Sequence, residues 1–183
     1  MQNPAEAART LSPTRMQLLV IRHGIAEDAE AFAATGKDDS LRPLTRTGKR
    51  KMKAGAAGLL ELVEEIDVLA ASPLVRARQT ASIVGKVYGD IHVDTVNALS
   101  PGSDPSALVD WLEEDASAGV VAIVGHEPHL GILVTWLMIA SLDSRVEMGK
   151  GGAALLDFSS RAEAGTGRLE WLLTGSQLGR IGR

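Results

Sequence analysis

A three-layer αβα sandwich around a mostly parallel central sheet of about six strands is the fold class that this α/β sequence predicts. Three observations carry the prediction. Short apolar runs alternate with stretches of helical period along the chain. Two of those runs, Leu18-Leu19-Val20-Ile21 and Val120 to Val124, are continuously apolar, as expected of strands covered on both faces. Polar residues followed by proline, Ser72-Pro73 and Asp104-Pro105, recur where a helix would open after a loop.

Each element follows in order. The first strand is predicted over 16–22, and the polar segment 24–46 after it is long enough to be functional or mobile, with a short helical turn near 29–34. Thr45 and Thr47 are candidate N-caps for a helix whose apolar face is Met52, Ala56, Leu59, Leu60 and Val63. Arg46, Lys49, Arg50, Lys51 and Lys53 crowd its first turns; they read as a solvated face or as a rim that attracts an anionic partner. A second strand is expected over 67–71. Ser72 and Pro73 suit N-cap and N1 of a helix that buries Ala77, Ala81, Val84 and Val87 and ends at Gly89. A short strand over 91–93, a loop over 99–104 and a helix opened by Asp104-Pro105, burying Leu108, Val109 and Leu112, come next. The strand over 120–124 leads through Gly125, His126 and Glu127-Pro128 into an apolar helix over 129–142. Two closing strands, 153–158 and 169–173, flank a glycine-rich turn at 165–167, and the tail 175–183 carries no clear signal.

The 183 residues suffice for one domain, expected over 16–183 after a flexible extension over 1–15. That extension is Ala-rich and polar, with Pro4 and Pro13, and lacks the apolar region of a secretory signal. The apolar stretch 130–142 is too short to span a bilayer, so a cytoplasmic protein with no membrane partner, expected as a monomer, is the reading. A net charge of −4 argues against nucleic acid held on a broad basic surface. With no cysteine, disulfides, zinc–thiolate sites and cysteine-based phosphatase chemistry are excluded.

In a parallel sheet, ligands bind beyond the carboxyl ends of the strands. Three chemistry-bearing stretches fall there: Arg22-His23-Gly24, Ser72 to Thr80, and Gly125-His126-Glu127. Taken alone, a strand-end histidine reads first as a hydrogen-bonded structural residue. Two histidines could share a metal, but the neighbouring cations oppose one, and neither a metal nor a cofactor is expected. Arg22 and Arg76 offer planar donor forks suited to phosphate, and a helix N-terminus beside Arg76 adds partial positive charge. Arg78 would lie on a different helical face. A neutral imidazole beside such an anion site suits nucleophilic attack on phosphorus, with a carbonyl near Gly24 accepting from Nδ1 and leaving Nε2 free.

At this point the sequence resembles a known family. Arg22-His23-Gly24, Arg42-Pro43-Leu44-Thr45 with Gly48, Ser72 to Ala81, and Val124 to Leu130 together resemble the histidine phosphatase superfamily, and within it the SixA-type phosphohistidine phosphatases. The likeness runs over about 16–173. It implies a phosphoglycerate mutase-like fold with His23 as the phosphorylated nucleophile. Arg22 and Arg76 would clamp the phosphoryl group, His126 would complete the pocket, and Arg42 and Gly24 would lie among the substrate-binding residues. Arg42 has a plainer reading as a loop-anchoring salt bridge. His129 is expected at the rim as a helix-start residue, and His92 as a plain strand residue. Larger phosphoester-cleaving members carry an acid after the third strand, where this chain has Ser100. That absence suits a phosphoramidate leaving group, with Glu27, Asp104 or solvent as the proton source. A phosphorylated protein is thus the expected substrate, a small phosphorylated molecule the alternative.

Overall fold

The structure is a computed structural model describing residues 15–114 and 119–183; apart from Arg15, the extension expected over 1–15 lies outside the described residues. The strands are β1 (Met16–Arg22), β2 (Val68–Ala71), β3 (Asp94–Thr95), β4 (Val120–Gly125), β5 (Ala153–Phe158) and β6 (Arg168–Leu173). They form one sheet in the order β3-β2-β4-β1-β5-β6. Pairings from β3 through β1 are parallel, and β5 and β6 add to the far edge antiparallel. The mostly parallel sheet predicted from the apolar runs is therefore present.

Alternation along β1 divides the core. Leu18 and Val20 face a layer holding Leu108 and Leu112 of α4 (Pro105–Glu114) and Leu130, Leu133 and Leu137 of α5 (His129–Ile139). Leu19 and Ile21 face the other layer, built from Met52, Ala56 and Leu59 of α2 (Arg46–Leu60), Ala77, Ala81 and Val84 of α3 (Val75–Val87), and Leu178 of α6 (Gly175–Ile181). Side chains of opposite parity thus bury both faces of one strand. The short helix α1 (Ala29–Ala33) lies in the polar segment after β1, and Thr45 proves to be the N-cap of α2, accepting from the Gly48 amide at 2.9 Å.

Several expectations change. Ser72 does not cap α3. The β2 geometry runs on to Ser72, whose amide still donates to the Val124 carbonyl at 3.0 Å, so the helix opens only after Leu74. The third strand pairs at 94–95 rather than 91–93, because the Ile91 amide turns back to the Gly85 carbonyl at the end of α3. His92 therefore lies outside any strand and is exposed beside Asp94. α5 stops at Ile139, before the expected 142, where Ala140 takes a left-handed conformation at φ 57°. The tail forms α6, held by a capping box between Thr174 and Gln177. It lies so close on α2 that a Cβ at Gly58 would collide with the Leu178 carbonyl. No helix among the described residues is long and apolar enough to cross a membrane.

Candidate active site

The order of the sheet brings the three sequence stretches to one edge. β4 lies between β1 and β2, and Arg22 pairs in register with Gly125 while Ala71 pairs with Val124. His23, His126 and Ser72 thus leave adjacent strands side by side. The His23 amide donates to the Gly125 carbonyl at 3.1 Å, and the two imidazoles stand 5.0 Å apart between centroids, tilted by 53°.

His23 is 7% exposed. Its Nδ1 lies 2.7 Å from the Gly24 carbonyl, which can only accept, so Nδ1 carries the proton and Nε2 keeps its lone pair. Burial pushes the His23 pKa down to about 4; the Gly24 bond opposes this, and Arg76, Arg22 and Arg42 reinforce it. Burial likewise takes His126 down to about 3, with His23, Arg76 and His129 adding to it. Both rings are neutral at pH 7.

His126 Nε2 lies 2.8 Å from the Ser72 hydroxyl. That oxygen also accepts from the Leu74 amide at 3.4 Å, which leaves its own proton to donate to His126. With the Ser72 hydroxyl donating to Nε2, His126 carries its proton on Nδ1, a buried nitrogen with no partner among the described residues.

Arg22 Nη1 donates to the Met148 carbonyl, while its Nε is buried and unpartnered. The Met148 amide in turn donates to Glu127 Oε1 at 2.8 Å, and Glu127 Oε2 accepts from the Gly131 amide at 3.3 Å. Glu127 therefore fixes the loop that holds Arg22. Arg76, 5% exposed in the first turn of α3, spends Nη1 on the Asp39 carbonyl at 3.0 Å and Nη2 on the Asp39 carboxylate at 3.1 Å. Its Nε is also buried without a partner. Arg42 donates Nε to the same carboxylate at 2.7 Å and Nη1 to the Glu27 carbonyl at 2.8 Å. The loop-anchoring reading of Arg42 is correct as geometry, and its charge still reaches His23.

Gly24, expected among substrate-binding residues, has both backbone groups engaged internally. Its carbonyl holds His23, and its amide donates to Thr80 Oγ1 at 3.0 Å, while that hydroxyl donates to the Arg76 carbonyl at 2.8 Å. Gly48 allows α2 to approach the next residue, since a Cβ there would collide with the Ile25 carbonyl. Arg78 is exposed and stands apart. His129, expected at the rim, is instead 4% exposed. Asp104 caps α4 through the Ser106 amide at 2.9 Å and hydroxyl at 2.8 Å, and these bonds hold its carboxyl below the usual range.

Sequence reasoning missed Asp39 and the roles of Ser72, Thr80 and Glu127. Ser72, Thr80 and Glu127 lay in stretches singled out at strand ends, but their partners were not legible, and Ser72 pointed to the wrong one. Asp39 looks like any acid in a polar loop until the loop folds across α3.

Burying an unsatisfied donor costs about 1–3 kcal/mol. Three such nitrogens, Arg22 Nε, Arg76 Nε and His126 Nδ1, cluster around a neutral imidazole whose lone pair is free. That arrangement suits an oxyanion with several acceptors. Two guanidinium charges beside the rings oppose a metal cation. Among the described residues, no group of three or more His, Cys, Asp or Glu could hold a metal ion.

Comparison with known proteins gives the same direction. The sequence profile of the histidine phosphatase superfamily (branch 1) matches residues 18–100. An uncharacterised protein of Picosynechococcus sp. is 33% identical over 162 residues, spanning 87% of this chain and 96% of that one. The phosphohistidine phosphatase SixA of Escherichia coli is 29% identical over 162 residues, 87% of this chain and 94% of its own. A structure of the protein histidine phosphatase SixA complexed with tungstate superposes with a TM-score of 0.74 at 26% identity, covering 89% of this chain and 99% of that one.

Proposed function

The chain belongs to the histidine phosphatase superfamily, and on that premise we propose that it hydrolyses phosphohistidine in proteins, without a metal, through a phosphoryl intermediate on His23. The observation that carries the reading is the set of three buried, unpartnered donors around the free Nε2 of His23. In the first half-reaction His23 Nε2 bonds to phosphorus while the P–N bond to the substrate imidazole breaks, and the departing nitrogen takes a proton. In the second, a water oxygen bonds to phosphorus, the P–N bond to His23 breaks, and inorganic phosphate leaves as a proton returns to solution. Arg22 Nε, Arg76 Nε and His126 Nδ1 donate to the phosphoryl oxygens, where charge is spread during transfer.

The leaving group is read from the lack, among the described residues, of a well-placed acid in the pocket. Asp104 is committed to its cap as a carboxylate. Glu27 is exposed on the loop. An alkoxide needs a strong, well-positioned acid, whereas a departing imidazole accepts a proton from Glu27 or from water. The likeness to SixA over most of the chain supports the same substrate class.

Two measurements test the proposal. Turnover of a histidine-phosphorylated protein and of phosphoramidate should exceed that of p-nitrophenyl phosphate; faster ester turnover would reject the P–N preference in favour of a small phosphoester. Quenching wild type with substrate should trap an acid-labile phosphoenzyme that His23→Ala does not form, and full activity in that variant would overturn the nucleophile.

A further inference from the structure

The outward side of α2 carries five cations, Arg46, Lys49, Arg50, Lys51 and Lys53, all exposed, and the helix contains no acidic residue. None of them forms an ion pair among the described residues. Arg46 and Arg50, and Lys49 and Lys53, are four residues apart, a spacing at which like charges destabilise a helix by a few tenths of a kcal/mol. On one flank of α2, Lys49, Arg50 and Lys53 meet Lys86 of α3 around a groove that also exposes Ile83 and Val87. On the other flank, Lys51 shares a pocket of about 570 Å³ with Lys150, Arg180 and Arg183, floored by Met52 and Ala54. Among the described residues, neither lining includes an Asp or Glu. Gly24 and Ile25, immediately after the proposed nucleophile, form part of the wall of the second pocket.

We infer that this cationic belt, from the Lys86 groove across α2 to the pocket of Lys51, Lys150, Arg180 and Arg183, is the docking surface for an acidic face of the phosphorylated protein substrate. The inference rests on the phosphohistidine-protein reading above and names what that protein must present. Charge selects the sign of the partner, because the belt opposes the net charge of −4 carried by the whole chain. Place selects the partner, because a protein that seats a phosphohistidine against His23 lies over the wall at Gly24 and Ile25. The apolar floors favour a protein over a nucleic acid, since carboxylate side chains can meet the lysines while aliphatic ones cover Ala54 and Ile83. Such contacts chiefly raise the rate and selectivity of encounter and are screened by salt.

The experiment compares Lys51→Glu/Lys150→Glu, and separately Lys49→Glu/Lys53→Glu, with wild type on two substrates: a histidine-phosphorylated protein of acidic surface, and phosphoramidate. Each double reversal should raise KM for the protein about tenfold with kcat unchanged, and leave phosphoramidate turnover within about twofold of wild type. Wild-type KM for the protein should rise with salt, and that of the variants should not. The neutral pair Lys51→Ala/Lys150→Ala should fall between, as a check on variants that fold poorly. Unchanged KM for the protein would overturn the belt and leave the proposed function standing, as would an equal loss on phosphoramidate. Tighter competition by a single-stranded oligonucleotide than by an acidic protein would reject the protein partner. A wild-type enzyme that cleaves esters and not the phosphorylated protein would remove the substrate reading, and the belt with it.

Discussion

The molecule holds two collections of positive charge that differ in every respect but sign. At the carboxyl edge of the sheet, Arg22 and Arg76 are tied by one end to Met148 and Asp39 and keep one buried donor each. Across α2 the cations are exposed, with no ion-pair partner among the described residues. A buried, fixed donor acts in a low dielectric and needs no reorganisation as charge develops. An exposed one is worth little per contact and acts at range. The difference teaches that charge alone does not mark a catalytic residue; the number of bonds that already restrain the side chain does.

Substitutions at the buried set should have the largest effects. Arg76→Ala should lower kcat by about 10²–10³, and Arg76→Lys should recover little of it, because a lysine cannot bond Asp39 and the phosphoryl group with one planar fork. A steady-state comparison checks this, and full activity in the lysine variant would erase the distinction between the two sets.

Asp39 tests whether restraint matters as much as charge. Its carboxylate bridges Arg42 and Arg76, and the Arg42 bond holds its carboxyl below the usual range. Asp39→Asn should reduce kcat/KM about tenfold, since Arg76 keeps its bond to the backbone carbonyl and loses only the charged one. Partial rescue relative to Asp39→Ala would identify a positioning residue.

The histidines supply a pH test. Both have folded pKa values below the unfolded value near 6.5, so the unfolded chain binds more protons between about 4 and 6.5. Their contribution to stability is complete above 6.5, declines as pH falls, and is lost below about 4 for His23 and below about 3 for His126. Denaturant unfolding should therefore weaken by up to about 1.4 kcal/mol per pH unit for each ring, and His126→Gln should show a shallower decline. Activity should fall at a lower pH, as it drops through about 4 and folded His23 becomes protonated. At the other extreme, Lys53→Ala should shift stability by no more than about 0.5 kcal/mol and leave phosphoramidate turnover unchanged.

What could be read in the sequence divides along the same line. The strands β1 and β4, and the helices α2, α3 and α5, announce themselves through uninterrupted apolar runs or helical period, because burial on one or both faces imposes those patterns. Arg22, His23, Arg76 and His126 were legible because each sits at a strand end or a first helical turn. Their supports were not. Asp39 and Glu127 act through register and loop path, which no local pattern encodes. Ser72 followed by Pro73 imitates a cap, yet the hydroxyl serves His126 because the sheet extends one residue further. The helix α6 buries little beyond Leu178, although Thr174 and Gln177 did carry a capping-box spacing.

The position of β4 has a further consequence, in the order of events by which the chain matures. β1 and β2 are not neighbours; β4, third of these strands to be made, inserts between them. Until it does, His23 has no Gly125 carbonyl to bond, and Ser72 has neither Val124 nor His126. The proposed nucleophile, its clamp and the second imidazole are thus joined by non-local pairings, contacts that form slowly because a long loop must close first. An emerging chain carries the Arg-His-Gly triplet early, but the proposed phosphoryl pocket is not assembled until 120–126 has docked between β1 and β2.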